Sequence, residues 1–473
     1  MPVTGPRKLS TLEKALDINL DSGRYGTFAE IGAGQEVVRW FFQAGGAAGT
    51  IAKSISAYDM KVSDAIYGPC ERYVSRQRLE SMLRYEQDLT RERLTPERGD
   101  STRFFTFADT VSARNFRGTN ECHAWMGIQF QAEPRTQDNR IIVHVRMLDD
   151  NNAAQQEALG IVGVNLVFAA YELHRRPDAL VASLTESLSA GRVEIDMIDL
   201  SGPAFDGVDN RIMSLRLVQL GLTGAAMFSA SGQVLQPSEV LRKRALLVQR
   251  GRFRPVTHVN IDLLESARRR FQDVEGVNAD AILPIMEISM HNLMEDSQMC
   301  LEDFVSRAEV ASATGCTVMV SDFREYHRLA AYLARYTREP IGMAMGLGTL
   351  RSLFEEQYYG DLDGGILEGF GRLFKEQVKL LVYPLKNRND GKIEELDSLE
   401  IGNSLQHLFS YLRERQCLLP LEKISHSYLD IHSPDVLGMI ARGDAAWVTM
   451  VPDRVAAKIK EQNLFGYGNG AGN

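Results

Sequence analysis

The sequence predicts an α/β protein built on a mostly parallel sheet, with helical N- and C-terminal regions. Between residues 101 and 385, short apolar runs alternate with stretches of helical periodicity, the pattern of strands joined by crossover helices. Residues 1–100 and 386–473 show helical periodicity instead. Gly, Pro and charged clusters punctuate the runs and mark the loops. Such an alternation suits a doubly wound open sheet, and eight strands also suit a closed eight-stranded barrel. Uneven spacing between the runs favours the open sheet.

In the N-terminal region, residues 29–43 read as an apolar-rich helix through Val37, Val38, Trp40, Phe41 and Phe42, broken by Gly45, Gly46 and Gly49. Residues 71–92 read as a long charged helix with one buried stripe, Tyr73, Leu79, Leu83 and Leu89. Residues 95–100 form a boundary loop, and the α/β domain follows at 101–385. Its candidate strands are 141–148, 193–200, 225–229, 245–248, 282–288, 316–320, 341–345 and 378–383. Its candidate helices are 153–173, 211–220, 259–271, 301–313, 324–336 and 347–358. The C-terminal region, 386–473, ends in a Gly/Asn-rich tail from Gly466 that is expected to be mobile.

With 473 residues, 44% hydrophobic and 24% charged, the chain has the composition of an ordinary globular protein of two or three domains. A net charge of -9 argues against a nucleic-acid or anionic-membrane partner, because phosphate binding needs concentrated positive charge. No apolar run reaches the roughly 18 residues of a membrane helix, and residues 1–8 lack a signal-peptide core. The five cysteines are scattered and fit neither a disulfide framework nor a Cys-x-x-Cys site. A cytoplasmic location is the expectation.

The densest chemistry lies in Arg250-Gly251-Arg252-Phe253-Arg254-Pro255-Val256-Thr257-His258, between a candidate strand and a candidate helix. Guanidinium forks and free backbone N–H groups converge at such a junction and suit an anion; the plainer alternative is that Arg250 and Arg254 pair with acidic neighbours. Gly251, Phe253, Pro255 and Thr257 fall in register with the Gly-x-Phe-Asp-Pro-x-His/Thr-x-Gly-His motif of the nucleotidyltransferases that include nicotinate-nucleotide adenylyltransferases, which the loop resembles. That resemblance implies a strand–loop–helix around a nucleotide triphosphate. The sequence departs from it at Arg254 for Asp, Val259 for Gly and Asn260 for the final His. Through residues 30–36 and 56–60 the whole chain is also similar to an uncharacterised bacterial family often described as nicotinate-nucleotide adenylyltransferase-like.

In parallel α/β sheets, ligands sit beyond the carboxyl ends of the strands. The expected ligand-binding set there is Arg250, Arg252, Arg254, His258, Gly346, Gly348 and Thr349, with Glu287, His291 and Asp322 as candidate catalytic acid/base groups. The expected partner is a phosphorylated small molecule, a nucleotide or similar metabolite; no motif identifies a cofactor. The alternative is a non-enzymatic homo-oligomer joined through Trp40-Phe41-Phe42 and the glycine-dense segment 364–374. Residues 45–54 resemble a P-loop only superficially, since Ala52 stands where glycine is required, and they read as a joint between helices. His123 and His144 read as satisfied core histidines. His426, Asp430 and His432 lie in a Ser/Pro-rich loop without a fixed metal spacing, and the methionines at 286, 290, 294 and 299 read as core or interface filling.

Overall fold

The computed structural model describes residues 8–294, 300–375, 377–402 and 404–468. The tail beyond 468 and Met299 lie outside the described residues. The chain divides into two compact units, Met1–Thr223 and Gly224–Asn473, rather than at the composition changes near residues 100 and 385.

The first unit carries strands β1 (Arg24–Gly32), β2 (Ile51–Ala57), β3 (Arg103–Ser112), β4 (His123–Gln131), β5 (Asp138–Met147) and β6 (Val193–Ser201). They form one sheet in the order β2-β1-β3-β4-β5-β6. The pairs flanking β1 are parallel and the remaining three antiparallel. Its helices are α1 (Thr11–Leu20), α2 (Val37–Ala44), α3 (Met60–Tyr67), α4 (Arg76–Arg98), α5 (Asn152–Glu172), α6 (Pro177–Ser183) and α7 (Asn210–Gln219). Helix α1 starts at a capping box: the Glu13 N–H donates to Ser10 Oγ at 3.3 Å, and the Ser10 N–H donates to the Glu13 carboxylate at 2.8 Å.

Helix α5 corrects the expectation that nothing here could span a membrane. By length and composition it could, yet most of it is buried inside the unit. A helix packed on most sides needs no broad polar face, so its middle turns from Ala158 to Ala170 are apolar apart from Asn165. The expected helix over 29–43 is in fact the end of β1, a glycine-containing turn and α2. Likewise 45–54 leads from α2 into strand β2, not into a helix, and Lys53 on that strand pairs with Glu86.

The second unit carries β7 (Ala225–Phe228), β8 (Val234–Leu235), β9 (Leu246–Arg250), β10 (Leu283–Ser289), β11 (Thr317–Ser321), β12 (Ile341–Gly346), β13 (Val378–Tyr383), β14 (Leu385–Lys386), β15 (Ile393–Glu394) and β16 (Leu418–Pro420). Apart from the β14–β15 ribbon, they form one sheet in the order β16-β13-β12-β9-β10-β11-β7-β8. From β16 to β11 every pair is parallel; β7 and β8 add an antiparallel edge. Counting β9 as the first parallel strand, the order reads 3-2-1-4-5-6, that of a doubly wound nucleotide-binding sheet. Neither large sheet closes into a barrel.

The helices of this unit are α8 (Pro237–Leu241), α9 (His258–Phe271), α10 (Met290–Leu293), α11 (Leu301–Ser312), α12 (Tyr326–Leu333), α13 (Leu347–Leu353), α14 (Gly365–Leu373), α15 (Gln406–Glu414), α16 (Ser433–Arg442) and α17 (Asp453–Gln462). Its core joins Val248, Ile285 and Met343 of the central strands to Leu329, Leu333, Leu350 and Phe370 of the helices.

Candidate functional site

The chain leaves β9 towards β10 and β11 on one side, then crosses to β12, β13 and β16 on the other. Strand order therefore reverses between β9 and β12, the position at which ligands sit in open α/β sheets. Strand β12 passes directly into α13, so Gly346 ends the strand and Leu347, Gly348 and Thr349 form the first turn of the helix. Neither glycine has a positive φ, and a Cβ added at either would meet nothing within 4 Å. Neither backbone conformation nor packing thus requires glycine at these positions. Thr349 continues into a pocket of about 160 Å³, which is also lined by Arg324, Tyr326, His327, Tyr358 and Tyr359. That is close to the ~150 Å³ of an engineered cavity that holds benzene, so the pocket admits one flat ring and not a whole dinucleotide.

The pocket's polar groups are unevenly satisfied. Arg324 is exposed, and its guanidinium has no ion-pair partner among the described residues. His327 is buried, with no hydrogen-bond partner at Nε2. Burial holds its imidazole below the ordinary value; Glu325 pulls it back up, while Arg328 and Arg372 add to the lowering. Burial likewise pushes the hydroxyls of Tyr326 and Tyr359 up to about 12, so both stay neutral donors at physiological pH.

The arginine loop has the expected strand–loop–helix setting, but most of its groups are engaged. Arg250 donates from Nε to Glu287 Oε2 at 2.6 Å and from Nη2 to Oε1 at 3.1 Å. It also donates to the carbonyls of Phe323 and Arg324, both at 2.7 Å, and lies over the Tyr326 ring. Glu287 is 0% exposed and receives a further bond from Ser321 Oγ. This sealed pair cannot serve as anion clamp and general base; the ion-pair alternative accounts for it. Burial opposes the charge of Arg250, and Glu287 more than offsets that, holding the guanidinium above its ordinary value.

Arg254 pairs with Asp303 at 2.7 Å. The carbonyls of Arg254 and Pro255 accept from Ser433 Oγ. His258 stacks on Tyr428, with ring centroids 5.0 Å apart. Asn260, where the resembled motif has His, accepts from the Thr257 N–H at 2.9 Å and so caps α9. Arg252, Asp322 and His291 are exposed at the same sheet edge.

Reasoning from sequence missed Arg324, Tyr326, His327, Tyr358 and Tyr359. The expected helices 324–336 and 347–358 hid them: α12 begins only at Tyr326 and α13 ends at Leu353. The other candidate surfaces turn largely inward. Phe41 is in the core, Trp40 is half-buried, and Phe42 is 54% exposed. A Cβ at Gly369 would come within 2.3 Å of Tyr359, so that glycine serves packing inside the unit, while Leu367 remains 66% exposed. Asp430 is taken by Lys386 at 2.6 Å.

The strand order makes the second unit a doubly wound α/β domain. No family model matches the chain, and no curated protein does. Among solved structures it is similar to the competence-damaged protein (CinA) superfamily protein of Enterobacter cloacae, with 12% identity over 36% of this chain and 97% of that one, at a TM-score of 0.27. The competence/damage inducible protein CihA of Agrobacterium tumefaciens gives 14% over 35% and 98%, at 0.25. The corresponding Klebsiella pneumoniae protein gives 14% over 34% and 100%, at 0.26. At such TM-scores these likenesses carry no argument about function, and none supports the adenylyltransferase resemblance of the loop.

Proposed function

We propose that the second unit binds a nucleotide or another phosphorylated metabolite, in the cytoplasm, at the crevice where its strand order reverses. The observation that carries this reading is an exposed Arg324, with no ion-pair partner among the described residues, lining one pocket with Thr349, which follows the open Gly348 in the chain. A phosphate close to a side-chain-free backbone and a guanidinium fork gains charge-assisted hydrogen bonds. The ring of the ligand fills the pocket between Tyr326, Tyr358 and Tyr359, with His327 Nε2 as a hydrogen-bonding partner. Exposed Arg252 extends the positive edge. Any acid/base chemistry falls to Asp322, His291 or His327, because Glu287 is sealed.

A thermal-shift screen of nucleotides and sugar phosphates tests the reading. A ligand at a hundred times its Kd stabilises by about 2.7 kcal/mol, a rise in Tm of roughly 5–10 °C for a unit of this size. Arg324→Ala should abolish most of the rise. A panel that leaves Tm unmoved, or an Arg324→Ala protein that responds like the wild type, contradicts it.

A further inference from the structure

The first unit holds a string of three titratable side chains across its antiparallel strands, unconnected with the crevice above. Asp196 of β6 is fully buried, and its Oδ1 lies 2.6 Å from Nδ1 of His144 on β5. Nε2 of the same ring, 1% exposed and packed against Trp125, lies 2.9 Å from Nδ1 of His123, the first residue of β4.

One proton arrangement follows from an ionised Asp196. A carboxylate only accepts, so His144 carries its proton on Nδ1 and leaves Nε2 as an acceptor. His123 must then donate from Nδ1, which leaves its own Nε2 as a bare lone pair. That nitrogen has no hydrogen-bond partner among the described residues, and the ring is half-buried, not sealed. Burial is the main cause that pushes His123 down to about 4, helped by His144, Arg146 and Arg72 and opposed by Asp196, so the ring is neutral at physiological pH. Of the two nearby cations, Arg146 is held by Glu194 at 2.6 Å and Glu121 at 3.3 Å. Arg72, exposed in the turn before α4, has no ion-pair partner among the described residues. A histidine pair that only filled a polar hole would not need an ordered donor chain ending in a free lone pair within the field of a cation.

We propose that His123 is the general base of a second site, one that takes a proton from a small anionic substrate whose charge is met by Arg72. In that step the substrate's X–H bond breaks and its electron pair stays on X. A new N–H bond forms at His123 Nε2, and the Nδ1 proton is shared with His144. The Asp196 carboxylate, accepting from His144 Nδ1, stabilises the positive charge, as the buried carboxylate of an Asp–His pair does. His144 and Asp196 are positioning residues; His123 alone touches the substrate.

Carbethoxylation of the full-length protein by diethyl pyrocarbonate, read residue by residue by mass spectrometry, tests this without knowing the substrate. The reagent attacks only an unprotonated imidazole nitrogen. His123 should be labelled, at a rate already level from about pH 6 upward because its ring is neutral there. Asp196→Asn offers His144 an amide donor and can reverse the string, so His123 labelling should fall at least tenfold with circular dichroism unchanged. Inorganic phosphate should protect His123 in the wild type and not in Arg72→Ala, a surface variant that folds whatever Asp196→Asn does. An unlabelled His123, equal labelling in a folded Asp196→Asn, or phosphate protection that is absent or survives Arg72→Ala overturns the proposal.

Discussion

At the scale of single residues, charge burial separates structure from site. Arg250 and Glu287 looked like a clamp and a base; in the fold they satisfy one another, with Ser321 and two carbonyls completing the set. Removing one partner of such a pair leaves an uncompensated buried charge, at a cost of about 3–5 kcal/mol. Glu287→Gln should therefore lower stability by that order in chemical denaturation. A loss under 1 kcal/mol would mean that Arg250 is solvated and available for ligand after all. By contrast, Arg324 is exposed, so its loss should leave stability nearly unchanged and act on binding alone.

At the scale of elements, β1 and β3 set two acids side by side, Glu30 and Asp109 being register partners on adjacent strands. Both are buried. Burial pushes Glu30 up to about 7, with the N–H groups of Val37 and Val38 at the start of α2 opposing the rise. Burial, then Glu30, raises Asp109 well above its ordinary value. The folded state therefore binds more protons than the unfolded one. Stability from this pair is fully present below the unfolded values of 3.8 for Asp109 and 4.5 for Glu30, and Glu30's share is lost as pH climbs through about 7. Asp109→Asn should flatten the fall in denaturation free energy across that window. An unaltered pH profile would place the titration elsewhere.

These two strands also mark where the sequence stopped being legible. All eight candidate strands fall on strands, because each is a short apolar run bounded by turn residues. Strands β3 and β4 have both faces covered, so no polar alternation announces them, and only the short turn Ala33-Gly34-Gln35-Glu36 separates β1 from α2. Of the site, the Gly346–Thr349 junction of β12 and α13 was legible because its composition alone is unusual. Pocket tyrosines and Arg324 were not, since only the crossover from β11 to β12 brings residues 324–327 beside Thr349.

At the scale of the molecule, the chain comprises two compact units, each with its own sheet. The central claim concerns the second unit: the reversal of strand order there creates a phosphate-and-ring site. Hydrogen–deuterium exchange on the full-length protein, with and without a saturating nucleotide or sugar phosphate found by thermal shift, tests it most directly. The account predicts that residues 322–327 and 346–353 slow together, and that Arg324→Ala removes both effects. Protection confined to the first unit, or to the arginine loop at 251–257 without residues 346–353, would contradict it.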